Sequence, residues 1–384
     1  MKKITAMLLC LAMLLCMAAC GSTATSTTAE SAEAVSAADA ATASEPSVAE
    51  TEAAAEAAET EDVLPADAPE SAVDDRAEEA APVGTDVNIA VLAGPTGIGA
   101  AGLMEANDAG ETVNHYNFTV ASANDEVVAG LTSGEFDMAA IATNVAANLY
   151  AKTSGAIQIC ALNTRGVLYI LENGDSVSSV ADLAGRTVYA TGQGANPEYV
   201  LEYILTQNGL TWSTDGSEAD VAIEFMDSES LVAGMASGEY DLCMLPVPAV
   251  TSVEIQNADV RTALNLTEEW DQVAEDGQLV MGSVVVRREF AEEHPDAVAA
   301  FLEEYAASID SVLADTAHAG ELCESYGIVA KAAVATKAIP DCSLCCITGT
   351  EIRTALEPYY SVLFTANPDS IGGAIPDEDF YFVY

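Results

Sequence analysis

NDEVVAGLTSGEFDMAAI, from Asn124 to Ile141, and SESLVAGMASGEYDLCML, from Ser228 to Leu245, are two versions of one phrase. In each, apolar residues at helical spacing run to a glycine, Gly134 or Gly238, that suits a left-handed helix cap. An acidic pair flanking an aromatic residue follows, and then an apolar run that reads as a buried strand. VLAGPTG from Val91 and VYATGQG from Val188 extend the match upstream. Each half therefore reads as strand, glycine-rich turn, helix, strand, helix, strand. Two similar halves predict two lobes with a cleft between them. A unit of this length that occurs twice is not a stacked repeat.

Outward from the repeat, strand patterns at Val87–Leu92, Asn117–Ala121, Met138–Ile141 and Ile157–Leu162 alternate with helical ones such as Asp125–Thr132. This alternation predicts an α/β fold of mainly parallel sheets joined by right-handed crossovers. Glu289–Leu313 carries apolar positions at helical spacing, with Pro295 in the first turn of its main helix.

Charge excludes some functions. The 384 residues include 61 Asp and Glu against 12 Lys and Arg, a formal net charge of −49. Nucleic acid and anionic membrane surfaces need clustered cations, so neither is an expected partner. Residues 20–86 are Ala, Ser, Thr and Glu with scattered Pro, too poor in core-forming residues to fold, and read as an extended acidic tether. Ahead of it, Lys2 and Lys3 precede the apolar run Ile4–Ala19, the pattern of a signal peptide over 1–19. Met17-Ala18-Ala19-Cys20-Gly21 resembles the lipobox of bacterial lipoproteins, with Met17 where Leu is usual. Cys20 is then the lipid carrier, and the protein is expected outside the cytoplasm on a membrane anchor. Six further cysteines follow, and their spacing does not give connectivity. A Cys323–Cys342 bridge is the pairing expected, with inert thiols the alternative. Cys342-x-x-Cys345 lacks the second ligand pair of a zinc site, so no metal is expected.

The stretch SVADLAGRTVYATGQGANPEYVLEYILTQNGL, Ser179 to Leu210, the turn Ser237–Asp241, and VVVRREFAEEHPDAVAAFLEEYAASID, Val284 to Asp310, together resemble the nitrate/sulfonate/taurine class of ABC-transporter substrate-binding proteins. The resemblance covers essentially the whole folded region. It implies the two-lobed periplasmic-binding-protein type 2 fold, with one lobe over 87–176 and 279–384, the other over 177–278, and a hinge that closes on ligand. It implies a non-catalytic monomeric receptor without cofactor, whose partners are a small-molecule ligand and the permease subunits of an ABC importer. Binding of a thiamine precursor or another heterocycle is an alternative, as is an enzyme of similar fold, of the menaquinone-pathway dehydratase type. The related pyrimidine-precursor synthases carry a cysteine-rich iron motif from which DCSLCC, Asp341 to Cys346, differs.

Parallel α/β sheets bind ligands at the carboxyl ends of their strands. That rule selects Gly94, Pro95, Thr96 and Gly97 in the first half and Gly192, Gln193, Gly194 and Asn196 in the second. Thr143 and Asn144 follow the strand at Met138–Ile141, and the repeat sets Pro246 and Pro248 at the matching place. Asn163 and Thr164 end another strand near the hinge. Glycine turns leading into helices expose free N–H groups, so the expected ligand is a small anion held by helix N-termini rather than by a basic patch. Neither turn is followed by the Gly-Lys-Ser/Thr of a nucleotide-binding loop. His115, His294 and His318 stand far apart, with no spacing that suggests a catalytic set.

Overall fold

The computed structural model describes residues 84–274 and 278–383. The signal peptide, Cys20 and nearly all of the tether expected over 20–86 lie outside the described residues.

The strands are β1 Asp86–Leu92, β2 His115–Ala121, β3 Met138–Ala142, β4 Ile157–Thr164, β5 Leu168–Asn173, β6 Arg186–Ala190, β7 Trp212–Ser213, β8 Val221–Phe225, β9 Leu242–Pro246, β10 Val260–Asn265, β11 Gly282–Arg287 and β12 Leu344–Thr348. They form two six-stranded sheets, ordered β12-β4-β11-β3-β1-β2 and β10-β5-β9-β6-β8-β7, each flanked by helices. β1 runs parallel to β2 and β3, as β6 does to β8 and β9. β11 is antiparallel to β3, and β5 is antiparallel to β9. The two-lobed α/β architecture read from the repeat is therefore present.

The repeated phrase has a mechanical cause. The helices Asn124–Ser133 and Ser228–Ser237 end at Gly134 and Gly238, whose φ of 81° and 76° is left-handed backbone that suits glycine. One turn earlier, a Cβ on Gly130 would lie 2.2 Å from the Phe136 ring, and one on Gly234 would lie 2.2 Å from that of Tyr240. The bare helix surface lets the aromatic ring fold back and lock each helix over its sheet. The strands that follow, β3 and β9, are buried along nearly their whole length, which is why they read as unbroken apolar runs.

Each sheet receives an antiparallel strand directly from a crossing between the lobes. Residues 165–167 join β4 to β5, and residues 278–281 lead into β11. The first boundary, expected at residue 176, is thereby corrected: Leu168–Asn173 pairs with β9 and β10 in the second sheet. The apolar residues of β4 and β5 are separated by the polar stretch Asn163-Thr164-Arg165-Gly166, and Arg165 and Gly166 lie in the crossing. Gly166 is needed there, because a Cβ would lie 2.0 Å from Thr267 Oγ1. Aromatic side chains join the lobes behind the cleft, where the fully buried Trp270 packs between Tyr203 and Tyr359 at centroid distances of 4.6 and 5.6 Å.

Candidate functional site

The carboxyl ends of the parallel strands face one another across the junction of the lobes. Four of the expected residues meet there in a buried polar network of Thr143, Asn163, Thr164 and Asn196. Asn163 Nδ2 donates to Thr96 O at 2.9 Å and to Tyr305 Oη at 3.0 Å, while its Oδ1 accepts from Thr164 Oγ1 at 3.0 Å. Thr143 Oγ1 donates to Val280 O at 2.9 Å, and Tyr360 Oη donates to Thr143 O at 2.6 Å. Asn196 Nδ2 reaches across from the second lobe to Thr143 Oγ1 at 3.4 Å. Gly282 makes this packing possible, since a Cβ would lie 1.9 Å from Thr164 Oγ1.

The glycine turns do not form the anion cradle expected of them. The helix after Gly94 is only Pro95–Ile98, and Pro95 brings no N–H. Gly94 N donates to Ile328 O at 2.9 Å and Gly97 N to Gly94 O at 3.0 Å, so these amides are already used. A Cβ on Gly97 would lie 2.2 Å from Leu92 O, which makes this glycine a packing requirement of the turn. In the second half, Gly194 N donates to the Glu198 carboxylate and Ala195 N to Gly192 O. A carboxylate of the protein's own helix thus takes the place an anion would need. Gln193 is exposed.

Two pockets open at the junction, and the duplication relates them. The larger, about 680 Å³, lies between Gly94, Pro95 and the segment Ile328–Val334 of the first lobe and Ser228, Glu229, Val232, Pro246 and Pro248 of the second. The smaller, about 250 Å³, is lined by Asn124, Asp125, Val128, Asn144 and Asn148 of the first lobe and Gly194 of the second. Asn124, Asp125, Val128 and Asn144 hold the repeat positions of Ser228, Glu229, Val232 and Pro248. Each lobe thus offers the amino-terminal turns of two helices to the opposite lobe's glycine turn. The large pocket has mostly apolar walls, with Glu229 and Lys331 on opposite lobes. The small one is evenly polar and apolar, with Lys152 and Asp369 as well as Val145 and Leu149 in its walls.

Ser228, Glu229 and Val232 were legible through the repeat, as partners of a phrase that ends in a binding loop. The wall at Ile328–Val334 carried no local signal. Arg165, a rare cation, belongs to the crossing, where it lies 3.7 Å from Asp271 and its N–H donates to Ser343 O. The expected Cys323–Cys342 bridge is corrected: both are free, buried thiols, and Cys342 Sγ donates to Ala338 O at 3.2 Å. Burial pushes the Cys323 thiol up to about 12, which keeps it protonated and unreactive. In the helix Asn196–Gln207, burial, with the nearby Glu198, pushes the Glu202 carboxyl up to about 7.

The model of the family described as NMT1/THI5 like matches residues 120–319. A solved ABC transporter structure from Parabacteroides distasonis is similar at a TM-score of 0.65 and 21% identity, covering 77% of this chain and 98% of that one. The periplasmic aliphatic sulphonate binding protein of Escherichia coli is similar at 0.59 and 15%, over 75% and 90% of the two chains. A sulfonate ABC transporter binding protein from Methylobacillus flagellatus KT, described as putative, follows at 0.57 and 16%, over 78% and 92%. No curated protein matches the sequence.

Proposed function

The chain belongs to the NMT1/THI5-like family, and from that premise we propose that it is an extracytoplasmic solute receptor that closes its two lobes on an organic molecule and delivers it to an ABC importer. The observation that carries this reading is the cleft of about 680 Å³ built by both lobes at the carboxyl ends of β1 and β9. That volume is in the range of pockets that enclose organic ligands and is far larger than an inorganic ion requires. Its walls, Val232, Val247, Ile328, Val329 and Val334, favour a solute with an apolar body. Lys331, which has no acidic partner among the described residues, and Glu229 offer charges for its polar ends. The solute is therefore an aromatic or heterocyclic compound or a substituted sulfonate rather than nitrate. The receptor acts as a monomer without catalysis, held to the membrane by lipid on Cys20, its acidic tether spanning to the permease subunits.

The fold of the solved transport proteins supports the reading, as do the lipobox-like segment and the tether. A thermal-shift panel of alkanesulfonates, aromatic anions, amino-substituted heterocycles and nitrate tests it. Organic members of the panel are expected to raise the melting temperature and nitrate is not. A rise confined to nitrate, or none with any organic solute, contradicts the proposal.

A further inference from the structure

We propose that the large cleft selects a zwitterionic solute, its cationic group set against Glu229 of the second lobe and its anionic group against Lys331 of the first, with an apolar body between them. The inference rests on the solute-receptor reading above and names the charge pattern its ligand must carry. The chain holds 61 acidic residues against 12 basic ones, so a cleft lined at random would be acidic. Instead, among the described residues that line it, one anion and one cation are the only charged groups, and they stand on opposite lobes. The two do not pair with each other, and neither has an ion-pair partner among the described residues.

Neither charge is spent on its own helix. Glu229 lies in the first turn of the helix Ser228–Ser237, but the cap there is Asp227, whose Oδ1 accepts from Ser230 N at 2.8 Å. Lys331 occupies the N-cap position of the helix Ala332–Ala338, where a short polar side chain is the usual choice and a cation opposes the helix dipole. The Glu324 carboxylate takes the capping role, accepting from Ala332 N at 3.0 Å. Both charged side chains are thus left to the cleft, with Val232 on one lobe and Ile328, Val329 and Val334 on the other as apolar wall between them. A singly charged solute satisfies one group and leaves the other to lose water without a partner when the lobes close. A zwitterion satisfies both and ties the lobes together. Each matched charge is expected to contribute roughly ten-fold in affinity.

Three probes that share one ring test this in the full-length protein by isothermal titration: para-(aminomethyl)benzoate, a zwitterion, para-toluate, an anion, and para-methylbenzylamine, a cation. The wild type is expected to bind the zwitterion roughly ten-fold tighter than either of the others. In Glu229→Gln the preference over para-toluate should vanish while that over para-methylbenzylamine persists, and in Lys331→Gln the reverse. This crossed pattern supports the proposal, because a residue that merely shaped the cleft would weaken all three probes alike. Equal affinities for the three probes, no binding of the zwitterion, or loss of both preferences in each variant overturns it. Should either single variant not fold, the charge-exchanged pair Glu229→Lys with Lys331→Glu is expected to bind the zwitterion as the wild type does, and loss of that binding is the contrary result. A panel solute that binds while the probes show no preference for the zwitterion sinks this inference and spares the receptor reading. Silence of every panel member and every probe sinks both.

Discussion

Asn367 of the first lobe donates from Nδ2 to the hydroxyl of Tyr199 in the second at 3.0 Å, a direct clasp between the lobes. Asn367 is held for this, because its Oδ1 caps the following turn by accepting from Asp369 N at 3.1 Å. Tyr199→Phe removes the clasp and little else. At about 1 kcal/mol for a net hydrogen bond, the closed state should lose roughly five-fold in population. A solute that requires closure should bind weaker by a similar factor, with little change in melting temperature. Isothermal titration of both proteins with one panel solute checks it, and equal affinities count against the clasp.

The glycine pair that explains the repeat gives a stability prediction. Gly130→Ala and Gly234→Ala should each destabilise by about 1–3 kcal/mol, because the methyl group has nowhere to go beneath Phe136 or Tyr240. In a Phe136→Ala background the cost of Gly130→Ala should largely vanish. Urea titrations of the four proteins in that cycle measure the coupling, and additive losses would assign the effect to something other than the ring.

These contacts also mark how far the sequence could be read. The lobes, the sheet-forming strands and the loops at Gly94, Asn144, Gly194 and Pro246 were legible, because helix and strand periods and the glycine caps are local signals. The duplication then set the two halves in register. What the loops do was not legible. Whether the amide of Gly194 is free depends on Glu198 folding back onto it, and whether Gly97 binds or packs depends on its distance to the Leu92 carbonyl. The wall at Ile328–Val334 comes from a distant part of the chain, and only the fold brings it to the cleft. The crossing at Arg165-Gly166 was hidden because the polar stretch between the apolar residues of β4 and β5, Asn163 to Gly166, is as short as an ordinary turn within one lobe.

Glu202 is 9% exposed, and its carboxyl is pushed up to about 7 by burial and by Glu198, against an ordinary value of 4.5. Because the folded value lies above the unfolded one, its contribution is fully present below about 4.5 and is lost as pH rises through about 7. Stability should therefore fall across that window. Glu202→Gln should flatten the fall and gain roughly 1–3 kcal/mol at pH 8. Denaturation curves at pH 5 and pH 8 provide the check, with parallel losses in both proteins as the contrary result.

The cysteines yield a chemical prediction. With Cys323 and Cys342 free and buried, alkylation of the unfolded, unreduced protein should modify both. Native protein should leave them unmodified over the same time, since protonated, enclosed thiols react slowly. Mass spectrometry reads both arms. A peptide pair linked through these two residues would restore the bridge.

The central claim is that solute is captured by the lobes closing over the cleft at Val232, Pro246 and Val334. The most direct measurement is the inter-lobe distance distribution, by paired spin labels, with and without a solute that raises the melting temperature. It is made on the wild type and on Val232→Trp, which projects an indole into the cleft and obstructs it. Saturating solute at about 100 times its dissociation constant stabilises by roughly 2.7 kcal/mol, and the wild type should pass to a single short distance. Val232→Trp should fold, remain at its solute-free distribution and show no thermal shift. A solute that binds both proteins equally, or that leaves the wild-type distances unchanged, would contradict the account.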